Sequence, residues 1–395
     1  MRYAIVTDTY APDINGVALT LQSYARGLRE RGHDVDIVRP AQPGERSGPD
    51  DEGALCIPSL RLPFYSTLRL ALPAGRQLRR RWRHARPDAI YVATEGPLGW
   101  SAIRAARALG IPVVTALHTR FDLYMADYGL PWLRPLALHW MRRFHGAADT
   151  TLVATRALAT FLHEQGVPRA VVLARAVDHQ QFDPARRDAA LRAEWGVAPE
   201  GLAVVHVGRL AAEKNLGLAI RAFRELQARR PDARMIWIGD GPLREGLERA
   251  HPDFVFCGTR RDAELGRHFA SGDLFLFPSR SETFGNVVLE SMASGVPVVA
   301  FDHGAAADVL CHRWHGAKVA CDDDEGFIAE SLRVASDDVR RRAMGLAARE
   351  AILGLTQAQV AHDLDGRLAN ARAAGAAMPV PVANPGTPDA RVTVA

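Results

Sequence analysis

Cysteine is scarce: four residues in 395 (Cys56, Cys257, Cys311 and Cys321), scattered and without C-x-x-C spacing. That argues against a disulfide framework or a thiolate zinc site, and suits free thiols in a reducing compartment. No run approaches the roughly 18 consecutive apolar residues that span a bilayer. Met1-Arg2 passes directly into Tyr3-Ala4-Ile5-Val6, so no secretory leader is expected and a cytoplasmic location is. Neither sign of charge dominates, since 49 Lys and Arg against 45 Asp and Glu leave +4, too little to imply nucleic acid. The phosphate-binding pattern G-x-G-x-x-G is missing from the first βαβ-like unit, which disfavours a dinucleotide oxidoreductase. No carboxylate cluster has metal-ligand spacing, and no repeat of about 20–50 residues is visible. Neither a metal nor a cofactor is expected.

What is present is the composition of a globular protein, 48% hydrophobic and 24% charged, with length enough for two ordinary domains. Short apolar runs alternate with helical periodicity, the pattern of an α/β protein with parallel sheets. A strand at 3–7 breaks into a loop that ends at Asn15-Gly16-Val17. The helix after it, to about residue 31, should turn Leu19, Leu21, Ala25 and Leu28 inward. Further strands are expected at 35–38, 54–58, Ala89–Val92 and Val113–Leu117, with a proline-punctuated loop at 61–73. After a boundary at 180–188, strands recur at Ala203–Val207, Arg234–Ile238, 254–257, 273–277 and 296–301, and helices fill 325–372.

The stretch from Pro278 to Val299 carries the most chemistry. A buried-type strand runs into a polar loop, then into a helix on which Val287, Val288, Leu289, Met292 and Ala293 recur at helical spacing. Glu282 lies in the loop, and Glu290 follows two helical turns later on nearly the same face. Between them, the free N–H groups of Thr283, Phe284, Gly285 and Asn286 favour phosphate, and the carboxylates favour hydroxyls. A molecule with phosphates in the middle and polyols at both ends is a nucleotide sugar. Arg209 and Lys214, in Gly208-Arg209-Leu210-Ala211-Ala212-Glu213-Lys214, add two cations at another helix entry, a cradle for a diphosphate.

These residues resemble the Glu-x7-Glu and G-R-x-x-x-x-K signatures of retaining GT-B glycosyltransferases, most closely glycosyltransferase family four. Val177-Asp178-His179-Gln180-Gln181-Phe182-Asp183-Pro184 resembles the family's inter-domain segment, with Ala176 where glycine is usual. The resemblance implies two doubly wound Rossmann-like domains facing each other across a cleft. It places an acceptor-binding domain at 1–182, a nucleotide-sugar-binding domain at 183–345 and returning helices at 346–372, while the Ala-, Pro- and Gly-rich tail at 373–395 has no periodicity and is expected to be structureless. It implies that Glu282 contacts the donor sugar, Glu290 the ribose, and Arg209 and Lys214 the departing diphosphate, with His118 beside the sugar. Gly16, Gly208, Asp240, Gly258, Thr259, Thr283, Phe284, Gly285, Asn286 and Val287 complete the expected donor contacts, Gly258 and Thr259 lying against the base. No metal is required by that scheme.

The acceptor side is less specific. Tyr10, Asn15, Arg120, Tyr124 and Tyr128 are its candidates, the last two in an aromatic stretch that could equally be a packed helix edge. Residues 76–86 hold Arg76, Arg79, Arg80, Arg83 and Arg86 with Leu78 and Trp82. Two readings stand: a helix on an anionic membrane surface at the inner face, or a solvated helix with Leu78 and Trp82 buried. The expected reaction moves a hexose such as mannose from a GDP- or UDP-sugar to a lipid, lipid-linked or glycan hydroxyl. The rival readings are a nucleotide-sugar epimerase or phosphorylase, and a non-catalytic sugar-nucleotide-binding protein associated with membrane.

Overall fold

A computed structural model of the chain describes residues 1–13, 15–42, 45, 48–49, 54–62, 65–120, 122, 131–280 and 282–376. Tyr124 and Tyr128 lie outside these residues, as does the tail from 377. The first half contributes β1 (Arg2–Val6), β2 (Asp34–Pro40), β3 (Gly48–Pro49), β4 (Leu55–Ile57), β5 (Ser59–Leu62), β6 (Tyr65–Ala71), β7 (Ala89–Val92), β8 (Val113–Leu117), β9 (Thr150–Val153) and β10 (Ala170–Val172). Eight of them form one sheet in the order β10-β9-β8-β7-β1-β2-β4-β3, parallel except for β3 against β4. The second half contributes β11 (Ala203–Val207), β12 (Arg234–Ile238), β13 (Val255–Gly258), β14 (Leu274–Phe277), β15 (Val298–Phe301) and β16 (Gly316–Val319), all parallel in the order β13-β12-β11-β14-β15-β16.

Both sheets are doubly wound, and strand order reverses between β1 and β7 and between β11 and β14. Ligands bind such sheets at the carboxyl ends of the strands beside the reversal. Helices cover both faces, so the central strands are apolar on both sides, as Ala203–Val207 and Val298–Phe301 show by being buried throughout. The two carboxyl edges meet. A Cβ on Gly16, at the start of the helix Gly16–Glu30, would lie 3.8 Å from Asn286 Nδ2, at the start of the helix Asn286–Ala293. The Arg156 N–H donates to Asp308 across the same divide (2.9 Å).

Four local expectations need correction. Of the stretch 61–73, residues 61–62 and 65–71 are strand and not loop: β5 and β6 form an antiparallel hairpin with Ser59 opposite Ala71 and Leu60 opposite Leu70. Pro58 and Pro73 flank the hairpin, where no ladder donor is lost. Leu19 is 55% exposed, on the outer face of its helix, whereas Leu21, Ala25 and Leu28 are buried. β16 was not anticipated, because Gly-Ala-Lys-Val is too short and mixed to signal a strand. The last helix, Gln357–Ala376, runs four residues into the segment expected to lack structure. Ala176 meanwhile is not among the residues with positive φ, so the usual glycine is not needed there.

The last helix lies against the first half. Val360, Leu364, Leu368 and Ala371 join the core formed by Tyr3, Leu21, Tyr24, Ala25 and Leu28. Asp365 accepts from the Tyr3 hydroxyl (2.7 Å) and pairs with Arg31 (3.3 Å) and His33 (3.1 Å). The approach is closest at Gly27, where a Cβ would stand 2.5 Å from the Ala361 Cβ. Gly27→Val is therefore expected to destabilise the protein by about 1–3 kcal/mol, through overpacking of that crossing. Urea unfolding measures it, and an unchanged midpoint would refute the tight crossing.

Candidate active site

On the second half, the loop after β14 turns sharply into the helix Asn286–Ala293. Gly285 has φ +91°, and a Cβ there would come within 3.3 Å of Phe277, so glycine alone fits without strain. The turn leaves the N–H groups of Thr283 to Asn286 without an acceptor among the described residues. Its far side is fastened by the Ala305 N–H, which donates to the Phe284 carbonyl (2.6 Å). A helix start with vacant donors attracts an anion.

Glu282 sits at the mouth of that turn. One carboxylate oxygen accepts from the Ser279 hydroxyl (2.8 Å) and forms an ion pair with Lys214. The Glu282 N–H donates to Nε2 of His303 (2.8 Å), so the His303 ring carries its proton on Nδ1, and burial lowers its pKa. Lys214 ends the short turn Ala212–Lys214, whereas the Arg209 side chain is 61% exposed and only 3.6 Å from Glu213. One cation is thus held and the other is free to swing. Beneath them His206 donates from Nδ1 to the Leu276 carbonyl (2.9 Å), and burial lowers its pKa to about 4.

Glu290 is half-buried about one turn into the helix, and its carboxylate has no hydrogen-bond partner among the described residues. Burial raises its pKa to about 7. Asp240 is committed to the turn after β12: it accepts from the Gly241 N–H (2.7 Å) and pairs with Arg244 (3.0 Å). Gly258 closes the neighbouring edge by accepting from the Gly239 N–H (2.9 Å), and Thr259 beyond it is exposed. Gly208 donates to the Ile238 carbonyl (3.0 Å), which holds the start of the Arg209 loop against β12.

The first half faces these groups with the loop after β1 and the ends of β7, β8 and β10. Asn15 caps its helix by accepting from the N–H groups of Val17 (3.1 Å) and Ala18 (2.9 Å), and its amide donates to Thr9 (2.7 Å). Its side chain serves the loop, which leaves the backbone around Gly16 facing Asn286. Arg120 makes two bonds to Asp122 (2.6 and 2.8 Å) and stacks over Phe161. Its guanidinium fastens the segment after β8, a structural use that the sequence did not suggest. Tyr10 packs half-buried on the first core. His118, at the end of β8, touches Tyr91 Oη through Nε2 (3.0 Å) and Arg175 through Nδ1 (2.7 Å).

Arg175, Tyr91, Ser279 and His303 escaped the sequence reading. Each stands at the end of a parallel strand or in the loop beyond it, the same signal that selected His118, but none belongs to a spaced motif. The basic helix Gly75–His84 buries Leu78 and Trp82 completely, so these two are core residues and not membrane anchors. Arg81 pairs with Asp36 (2.7 Å), and Arg86 donates to the carbonyls of Leu109 and Gly110. Beside this helix is an open groove of about 680 Å³ lined by Arg76, Arg79, Arg104, Trp100 and Trp140.

Two doubly wound sheets opening on one cleft, with cations and a vacant helix start on one wall, make the protein a glycosyltransferase of GT-B architecture. Residues 14–181 match the model of Glycosyltransferase Family 4, and residues 201–337 match Glycosyl transferases group 1. A GDP-mannose-dependent alpha-mannosyltransferase of Mycobacterium tuberculosis is 34% identical over 93% of this chain and 96% of its own. A sulfoquinovosyl transferase of Arabidopsis thaliana is 33% identical over 85% of this chain and 67% of its own. The fold is shared with sucrose-phosphate synthase from Thermosynechococcus elongatus, with TM-score 0.73 at 18% identity over 94% of this chain and 99% of that one. The chain belongs to glycosyltransferase family 4.

Proposed function

We propose that the protein transfers mannose from GDP-mannose, with retention at the anomeric carbon, to a hydroxyl of a lipid or lipid-linked glycan. The observation that carries the donor site is the direct pairing of Lys214 with Glu282 at the vacant N–H groups of Thr283 to Asn286. In the free protein each of these groups partly satisfies the other. With a donor in place, Lys214 and Arg209 turn to the diphosphate and Glu282 to the sugar hydroxyls. Cleavage of the anomeric bond leaves negative charge on the diphosphate, and the two cations and the helix start offset it with little reorganisation. Glu290 takes the ribose hydroxyls, and Gly258 and Thr259 flank the base. The acceptor enters over Gly16. Mannose and guanine are favoured by the likeness to the mycobacterial mannosyltransferase over nearly the whole of both chains.

No helix among the described residues is long and apolar enough to cross a membrane. The proposed contact with a lipid surface at the inner face of the membrane rests on the outward cations of Gly75–His84, beside which Trp140 lines the shared groove. Trp132 and Leu136, on the preceding turns of the Trp140 segment, are 71% and 65% exposed and supply the apolar part.

The test is a panel of GDP- and UDP-sugars followed by thermal unfolding. GDP-mannose at 100 times its dissociation constant should add about 2.7 kcal/mol. A shift with UDP-sugars alone would replace the donor, and no shift with any nucleotide sugar would defeat the reading. Transfer from labelled GDP-mannose to lipid extracts, with and without anionic vesicles, then identifies the acceptor class and the need for a surface.

A further inference from the structure

Arg175 is an unusual group to find where it is. It lies three residues beyond β10, is 7% exposed, and has no carboxylate partner among the described residues. Its Nη2 donates to His118 Nδ1 at 2.7 Å, while Nε and Nη1 are buried without an acceptor of bonding geometry. A buried guanidinium without an acid is costly, and the cost has to be met by what the cation does. Its surroundings are Tyr24, Tyr91 and His118, which with Arg175 line one small cavity under the carboxyl edge of the first sheet.

The bond has a chemical consequence. A guanidinium can only donate, so Nδ1 of His118 must present its lone pair. The neutral ring therefore carries its proton on Nε2, which faces the Tyr91 hydroxyl at 3.0 Å. We propose that Arg175 is a positioning residue that fixes His118 as the neutral Nε2–H tautomer, making it a hydrogen-bond donor to the substrate and not a base. This rests on the reading that His118 lies beside the donor sugar: a sugar oxygen would then replace Tyr91 Oη as acceptor of the same proton.

The groups facing His118 agree. Tyr91 comes from β7, Tyr24 from the helix Gly16–Glu30, Arg175 from the segment after β10, and His145 from the helix Arg134–His145. Among the described residues, the acid nearest this group is Glu95, which is bonded to His145 Nε2 (2.6 Å) and not to His118. Burial, then the Arg175 cation, then His145 hold the His118 pKa well below its ordinary value. Each feature disfavours imidazolium.

Nitrogen-15 histidine spectra of the full chain, recorded from about pH 5 to 8, read the tautomer directly, with His118→Gln assigning the signal. In the wild type, Nε2 should carry the proton and Nδ1 none throughout. Arg175→Met should give mixed tautomers, or a protonation midpoint higher by about a unit; Arg175→Lys should restore the wild-type pattern. Unchanged His118 shifts in Arg175→Met would overturn the proposal, as would a protonated Nδ1 in the wild type. Should Arg175→Met not fold, the wild-type and Arg175→Lys spectra still decide it, since a protonated Nδ1 in either is fatal. In steady state, Arg175→Met should lower kcat roughly tenfold with little change in donor KM. Altered spectra with an unaltered kcat would uphold the Arg175 assignment and remove His118 from the donor sugar instead.

Discussion

Lys214→Ala is expected to lower kcat/KM by about 10²–10³, the usual cost of removing one preorganised group that meets charge developing in a transition state. The substitution acts twice. It removes the cation that the proposed reaction sets against the departing diphosphate, and among the described residues it leaves the carboxylate of Glu282, 15% exposed, with Ser279 alone to bond. The two effects separate in a double variant. Lys214→Ala with Glu282→Gln should recover the thermal stability lost in Lys214→Ala, because no unpaired carboxylate remains, and should recover none of the activity. Arg209→Ala should cost less than Lys214→Ala, since Arg209 is exposed and its ion pair with Glu213 is long at 3.6 Å. A Lys214→Ala enzyme within tenfold of wild type would mean that the diphosphate charge is met elsewhere.

The second large effect concerns Glu290. Glu290→Gln should weaken binding of the nucleotide about 10- to 100-fold, the worth of hydrogen bonds to a charged acceptor at a partly buried site. Its pH behaviour is more diagnostic than the loss itself. Burial raises the pKa from 4.5 to about 7, so the folded protein holds this proton more firmly than the unfolded chain. The associated stability is fully present below about pH 4.5 and is lost as the pH rises through 7. Ribose hydroxyls donating to the carboxylate favour its ionised form and bring the pKa down. Binding should therefore release a proton in the window below pH 7. Titration calorimetry at pH 6.5 in two buffers of different ionisation enthalpy measures that proton. Wild type should release it and Glu290→Gln should not; equal proton counts in both would separate Glu290 from the nucleotide.

Much of this architecture was readable because parallel strands covered on both faces are written as apolar runs, and Ala203–Val207, Leu274–Phe277 and Val298–Phe301 are such runs. The loop-then-helix order around Glu282 and Glu290 was readable because turn glycine and helical period agree at one place. The two-turn spacing of the acids was not, because the helix starts only at Asn286 and leaves Glu282 in the loop. The hairpin β5–β6 was not, since its prolines mask a ladder whose partners are fixed only by tertiary pairing. Leu19 was misplaced because apolar character on a helix does not by itself say which face is covered. The roles of Leu78 and Trp82 depended on whether another element covered them, which periodicity leaves open. Arg175 and His303 lay beyond sequence reasoning for a different reason. Each acts through a neighbour distant in the chain, and single residues after a strand carry no spacing to read.

The two halves are joined twice, and the two joints are tied to each other. The Val177 N–H, in the outward crossing, donates to the Leu355 carbonyl in the returning one (3.0 Å). Beside them Arg349 bonds the Phe182 carbonyl (3.0 Å) and the Asp183 carboxylate (2.6 Å). A single tether would let one half twist, slide or tilt against the other. Two tethers bonded side by side form a hinge with one axis, so the soft motion that remains is opening and shutting about that line. Gly16 and Asn286, across the cleft from it, are then expected to move along an arc about that line. Spin-label distances across the cleft should change on adding nucleotide while distances beside Val177 and Leu355 stay fixed, and a change at both would show a looser joint.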